Sequence, residues 1–127
     1  MKKIISIKNA PTPVGSYSQA VLVDNTLYLS GQIAINPFDG EFKTKSIETE
    51  ITQVMENIKA LLESANLDMD NLVKCSIFLD NMDNFGVVDS IYSSYFNESF
   101  PARETVEVSK LPKGVRVEIS GIAILDN

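Results

Sequence analysis

The sequence contains no histidine, and this absence excludes several kinds of active site. Ser-His and Cys-His nucleophiles, the usual zinc ligand sets and a two-histidine mechanism of RNA cleavage all depend on imidazole. Any proton transfer must therefore use carboxylates, tyrosine, lysine or bound water.

Cysteine is almost absent as well. Cys75 is the only one, so the chain cannot form an internal disulfide. In the segment VKCSIFL it shares strand parity with Val73, Ile77 and Leu79. This pattern favours a small buried hydrophobe, because a low-pKa nucleophile needs a basic or helix-terminal setting that the sequence does not provide.

Long apolar segments are also missing. The N-terminal IISI is interrupted at Lys8, short of the roughly 7 to 15 apolar residues of a signal peptide. No run approaches the roughly 20 apolar residues that span a bilayer. We therefore expect a cytoplasmic protein with no membrane partner.

Basic residues are outnumbered, with 11 Lys and Arg against 17 Asp and Glu and a net charge of -6. A surface that follows a phosphate backbone shows clustered positive charge. Nucleic acid is therefore not the partner that the composition predicts.

The residues present are typical of one globular domain over residues 1–127, with 44% hydrophobic and 22% charged residues. Asp24-Asn25 predicts a hairpin turn between two strands. A helix is predicted from an N-cap at Ser46 to Asn66, and a second from about Asp83. With a strand at residues 73–79 and two near the C-terminus, the order is β-β-α-β-α-β-β. This order predicts an α+β fold with both helices on one face of one sheet.

Two helices on one face leave the other face of the sheet uncovered. Strand parity assigns several apolar side chains to that uncovered face, namely Tyr28, Phe78, Ile122 and Ile124. Self-association is the simplest way to cover them. The alternative is a solvated face with a few stray apolar residues.

Arg103 has two interpretations. In FPARETVEV, at residues 100 to 108, alternation groups Arg103 with Thr105, and we assign Arg103, like Glu118 of the last strand, to the uncovered face. The first interpretation is a cross-strand charge pair on a wet sheet, contributing ~0 to 1 kcal/mol. The second is a guanidinium fork for a substrate carboxylate, with a carboxylate nearby that positions water.

A hairpin of the last two strands would be centred between Pro112 and Lys113. Glu107 would then face Glu118, and Arg103 would lie roughly 13 Å farther along the strand. If Arg103 and Glu118 act together, we therefore expect a neighbouring subunit to complete the site.

Four separated motifs resemble those of the RidA/YjgF family of imine deaminases. They are GSYSQAV at residues 15 to 21, LYLSGQI at 27 to 33, PARETVEV at 101 to 108 and VRVEISGIAI at 115 to 124. The resemblance covers nearly the whole chain in the family's order and spacing. It implies a chorismate-mutase-like α+β fold, a homotrimer, and active sites in the clefts between subunits.

The resemblance also implies roles for individual residues. Arg103 matches the arginine that binds the substrate carboxylate, and Glu118 matches the acidic residue that positions the hydrolytic water. Tyr17 and Gly31 match positions that line the pocket. Thr105 stands where family members carry Cys or Thr beside the substrate.

This chain departs from the family pattern at two positions. Ser16 stands where proline is usual, and Asp89 stands where asparagine is usual in the second helix. We include Asp89 among the candidate substrate-binding residues, because a carboxylate there would place a negative charge near an anionic substrate.

The implied reaction is the deamination of 2-iminobutanoate or 2-iminopropanoate to a 2-keto acid and ammonia. Water adds to a reactive C=N carbon, so the enzyme needs chiefly to orient the substrate and to offer one proton-transfer group. No metal or cofactor is expected. Two alternatives stay open: an endoribonuclease or translation inhibitor, as some relatives are described, and a non-catalytic module that binds small carboxylates.

Overall fold

The computed structural model describes residues 1–126. Its strands are β1 (Lys2–Ile5), β2 (Ala20–Val23), β3 (Thr26–Gln32), β4 (Leu72–Leu79), β5 (Ala102–Glu107) and β6 (Val117–Ile124), and its helices are α1 (Ile47–Ser64) and α2 (Phe85–Ser93). The α+β class and the predicted order of elements are confirmed, and the structure adds β1 before them. β1 has only four residues, too few for alternation to predict a strand. Its pairing with β2 stabilises it.

The predicted ends of α1 are confirmed by their capping contacts. Ser46 accepts a hydrogen bond from the backbone N–H of Thr49 at 3.1 Å. Asn66, just past the helix, has a positive φ of 60°, and the N–H of Leu67 returns to the carbonyl of Leu62. The apolar stripe of α1 is buried against the sheet and α2, and it contributes Ile51, Val54, Met55, Ile58, Leu61 and Leu62 to the core.

The strand order in the sheet is β1-β2-β3-β6-β4-β5. β4 pairs antiparallel with β6 and parallel with β5, so β5 and β6 lie on either side of β4. The predicted hairpin of β5 and β6, with Glu107 opposite Glu118, is therefore wrong. The connection between these strands crosses the end of β4, where Val108 donates to the carbonyl of Leu79 at 2.8 Å.

Pairing with β4 also decides which face of the sheet each residue of β5 occupies. Arg103 is opposite Cys75 and Thr105 is opposite Ile77, and both partners are core residues beneath the helices. Glu118 is opposite Phe78, on the uncovered face. Our assignment of Arg103 and Glu118 to the same face is therefore wrong: Arg103 and Thr105 lie on the helix-covered face.

The apolar character of the uncovered face agrees with the prediction. Tyr28 is 48% exposed and Val106 is 40% exposed. Ile122, opposite Tyr28, and Phe78, opposite Val106, are half-buried on the same face. The edges of the sheet differ from this face because they are charged, with Lys2 and Lys3 in β1 and Arg103, Glu104 and Glu107 in β5.

A buried carboxylate ties the start of α1 to the start of β6. Glu50 is inaccessible to solvent and accepts hydrogen bonds from the backbone N–H groups of Arg116 and Val117, at 2.7 and 3.1 Å. The side chain of Arg116 donates to Glu50 at 2.8 Å and to the carbonyl of Thr44 at 2.7 Å. The strand that carries Glu118 is thereby fixed at its first residue.

Within residues 1–126, no helix has both the length and the apolar composition that a bilayer crossing requires.

Candidate active site

The predicted site residues fall into two groups, each beside its own cavity. The arginine cavity has a volume of about 410 Å³ and the glutamate cavity about 350 Å³. The arginine cavity is lined by Asp89, Tyr92, Ser93, Phe100, Pro101 and Arg103. The glutamate cavity is lined by Val14, Tyr17, Ser30, Gly31, Ile33, Pro112 and Glu118.

Arg103 is held from several directions in the arginine cavity. Its Nη1 donates to Asp89 Oδ1 at 2.6 Å, and its guanidinium carbon lies 5.1 Å from the ring centre of Tyr92 and 5.5 Å from that of Phe85. These rings add cation–π attraction to the ion pair. The Arg103 side chain stays 25% exposed, so a fixed guanidinium faces the cavity with donors to spare.

Thr105 lies two residues beyond Arg103 on the same face, but it does not line the arginine cavity. Its hydroxyl is buried, as is that of Tyr92, and neither has a hydrogen-bond partner among residues 1–126. Both hydroxyls belong to the layer of side chains beneath the cavity. They remain available to a water or ligand that reaches this layer.

Cys75 belongs to the same layer and is 1% exposed. Burial raises the pKa of its thiol, and burial likewise raises the pKa of the Tyr92 phenol. The interpretation of Cys75 as a buried hydrophobe is therefore confirmed. Neither group has the ionised form that a nucleophile needs near neutral pH.

Glu118 is the acidic group of the glutamate cavity. It is half-buried, and desolvation raises the pKa of its carboxyl above the ordinary 4.5. A carboxylate with a raised pKa is a better proton acceptor than an exposed one. Glu118 is thus suited to act as a general base towards a water molecule.

Gly31 is needed because the side chain of Glu118 crosses directly over its α-carbon. A Cβ at this position would come within 2.8 Å of Glu118 Cδ, closer than real contacts allow. The register of β3 and β6 shifts at this point, between Leu29 and Gln32. The two residues within this irregularity, Ser30 and Gly31, both line the glutamate cavity.

Tyr17 reaches the glutamate cavity from the loop between β1 and β2, and Gln19 secures that loop. The buried side chain of Gln19 accepts from the N–H of Ile7 and donates to the carbonyls of Ile7, Ala10 and Pro11, at 2.7 to 3.0 Å. Sequence reasoning missed this role, although Gln19 belongs to the motif that contains Tyr17. It also did not name Ser30 and Phe100 as cavity residues, although both belong to segments that it singled out.

The described part of the chain contains no group of three or more cysteine, aspartate or glutamate residues that could hold a metal ion. The side chains of the two cavities supply different chemical groups. The arginine cavity offers an anion site and the glutamate cavity offers a base. On one chain the two are separated by the thickness of the sheet.

Comparison with known proteins identifies the family. Residues 7–125 match the family described as Endoribonuclease L-PSP. A RutC family protein of Pyrococcus horikoshii is 46% identical over 123 residues, covering 97% of this chain and 98% of its own. The 2-iminobutanoate/2-iminopropanoate deaminase of Bos taurus is 44% identical over 124 residues, covering 98% of this chain and 90% of its own.

A solved structure supports the same family assignment. The Rid family protein YyfA from Yersinia pestis superposes with a TM-score of 0.95 at 48% sequence identity, covering 98% of this chain and 100% of its own. The matches in sequence and in fold both extend over nearly the full chain. The chain therefore belongs to the endoribonuclease L-PSP family, which is the RidA/YjgF family that its motifs resemble.

Proposed function

We propose that this protein hydrolyses reactive 2-imino acids, such as 2-iminobutanoate and 2-iminopropanoate, to 2-keto acids and ammonia. We further propose that it does so as a homotrimer, in sites formed where the arginine cavity of one subunit meets the glutamate cavity of the next. The deaminase names of relatives at 42 to 44% identity support the reaction.

The observation that carries the proposal is the division of the site into two halves. Arg103 lies beside α2, which carries Asp89, whereas Glu118, Gly31 and Tyr17 lie around a cavity on the other side of the sheet. The arginine cavity contributes the anion site, and the glutamate cavity contributes the base. Joining two copies of the chain brings an anion site and a base to one substrate and covers apolar surface as well.

In the proposed mechanism, Arg103 binds the substrate carboxylate and fixes the position of the C=N carbon. Glu118 holds a water molecule and takes its proton as the oxygen adds to that carbon. The adduct carries a hydroxyl and an amino group on one carbon. Glu118 then returns that proton to the amino nitrogen. As the C–N bond breaks, the hydroxyl proton passes to the departing ammonia, which leaves as ammonium, and the 2-keto acid remains with Glu118 ionised.

Backbone groups near Gly31, together with the hydroxyl of Thr105, are further candidates for contacts with the substrate. Tyr17 closes the glutamate cavity from its loop, where it is 49% exposed in the single chain. A neighbouring subunit packed on this loop would bury Tyr17 and exclude bulk water from the site.

The proposal is tested by generating the imine with a serine or threonine dehydratase and trapping it with semicarbazide. The wild-type protein is expected to accelerate the loss of trappable imine, and Arg103→Ala is expected to abolish the acceleration while sedimenting as the same oligomer. Lys59→Ala removes an exposed positive charge from α1 and is the matched control, with unchanged activity expected.

Two outcomes contradict the proposal. If the wild type binds small carboxylates without accelerating imine loss, the protein is a binding module. If Arg103→Ala keeps the full rate, the arginine cavity is not part of the site. Salt-dependent binding of RNA by a repurified, metal-free sample would favour the endoribonuclease alternative instead.

A further inference from the structure

The arginine cavity contains a negative charge of its own. Asp89 Oδ1 accepts from Arg103 Nη1 at 2.6 Å, and both side chains line the cavity. The Asp89 side chain is 43% exposed, so it faces an incoming ligand rather than the core. Any small acid that reaches Arg103 therefore also meets the carboxylate of Asp89.

The two charges of this cavity favour binding of one kind of small acid over another. A plain carboxylate gains the attraction of Arg103 but is repelled by Asp89, since both charges lie within a few ångströms of it. An acid with a positive nitrogen on its α-carbon can place its carboxylate on the free donors of Arg103 and its nitrogen beside Asp89. The second kind of ligand matches both charges of the cavity.

We propose that Asp89 makes the arginine cavity selective for zwitterionic α-amino and α-imino acids over plain carboxylates of the same size. The inference rests on the proposed function for the reacting member of this class, the protonated imine. Water adds to the carbon of the protonated imine more readily than to that of the neutral imine. Deamination removes that nitrogen as ammonia. The 2-keto acid product then has a carboxylate only, and Asp89 favours its release.

A simpler role for Asp89 would be to position Arg103 and nothing more. The two roles predict different results for the isosteric change Asp89→Asn. If Asp89 only positions Arg103, every carboxylate ligand is affected to the same degree. If Asp89 attracts the cationic nitrogen of the ligand, Asp89→Asn weakens binding of zwitterions and strengthens binding of plain anions.

The experiment measures dissociation constants by calorimetry for L-2-aminobutanoate and L-2-hydroxybutanoate, which differ only in an ammonium or a hydroxyl group. The wild type is expected to prefer the amino acid by about tenfold, the equivalent of ~1.4 kcal/mol of charge–charge interaction. Asp89→Asn is expected to bring the ratio close to one. Asp83→Asn, which removes the same charge just before α2 and outside the cavity, is the control and should keep the wild-type ratio.

An unchanged ratio in Asp89→Asn overturns the inference, as does failure of the amino acid to bind the wild type. Equal weakening of both ligands overturns it in favour of a positioning role. The deaminase assay is separate: an active wild type with an unchanged ratio refutes only the selectivity, whereas an inactive wild type with the expected ratios refutes only the reaction.

Discussion

Arg103 and Glu118 lie on opposite faces of the same sheet. Arg103 is paired with Cys75, a core residue of β4, whereas Glu118 is opposite Phe78 on the uncovered face. Their strands, β5 and β6, have β4 between them. Neighbouring strands are roughly 4.8 Å apart, so the two backbones are about 10 Å apart in the direction across the strands. A small imino acid cannot contact both side chains of one chain.

This separation predicts complementation between two inactive variants. Arg103→Ala and Glu118→Gln should each lack activity alone, because each damages one half of every site. When equal amounts are refolded together, subunits mix, and about a quarter of the sites in random trimers receive an intact arginine half and an intact glutamate half. The coupled dehydratase assay should therefore show about a quarter of wild-type activity.

A control mixture separates complementation from recovery during refolding. Each variant refolded alone should stay inactive. If the mixture also stays inactive although sedimentation shows mixed oligomers, both residues act within one subunit, and the proposed arrangement is wrong.

The raised pKa of Glu118 predicts a pH dependence for the reaction. A general base must be ionised, so kcat/KM should fall as the pH drops through the pKa of Glu118, with the acid limb above 4.5. Glu118→Gln should show no rate above the uncatalysed reaction at any pH across this limb. The profile is measured with excess dehydratase at each pH, after subtraction of the uncatalysed rate.

The same pKa predicts a small effect on stability, with a definite sign. Between the unfolded pKa of Glu118 and its higher folded value, the folded state holds more protons. The free energy of unfolding should therefore decrease as the pH rises through this window. Urea titrations should show a shallower decrease for Glu118→Gln, and a steeper one would contradict the assigned direction.

Gly31→Ala should damage activity more than stability. The new Cβ would collide with the end of the Glu118 side chain, which can swing away but then leaves its position in the cavity. We expect a loss of kcat of at least about tenfold with a change in unfolding free energy below about 1 kcal/mol. Gly86→Ala is the matched control: a Cβ there meets nothing within 4 Å, and the substitution within α2 should stabilise the protein by about 0.5 to 1 kcal/mol.

Glu50→Ala should cost about 3 kcal/mol of unfolding free energy, because it leaves two backbone N–H groups and the Nε–H of Arg116 without their acceptor. Glu48→Ala, an exposed glutamate in the same turn, should cost only about 0.5 kcal/mol through the helix dipole. Urea unfolding of the two variants measures the difference. Equal costs would mean that the buried carboxylate contributes no more than a surface one.

The sequence predicted those parts of the fold that depend on local signals. Ser46 and Asn66 mark the ends of α1 because a capping side chain and a positive φ are properties of single residues. The position of β5 depends instead on pairing with β4, which is distant in sequence. Alternation divides its residues into two sets but does not decide which set faces the core, particularly where Val106 is apolar and yet 40% exposed.

The motifs of the sequence named candidate site residues but not the arrangement of those residues. Tyr17, Gly31 and Glu118 do share a cavity, and so do Asp89 and Arg103. Their division between two faces follows from the crossover of the chain past β4, which no local pattern encodes. Gln19 was missed for a similar reason, since its four hydrogen bonds reach back to residues 8 to 12 positions earlier in the chain.

The charged edges of the sheet bear on how copies of this chain can meet. An edge strand exposes unpaired backbone groups, and a copy that added its own strand there would build an open-ended stack. Charged side chains on both edge strands, lysines in β1 and three charged residues in β5, oppose such strand addition because they would lose hydration in it. In the proposed oligomer, contacts between copies are therefore expected away from the edges, on surfaces that close after a fixed number of copies.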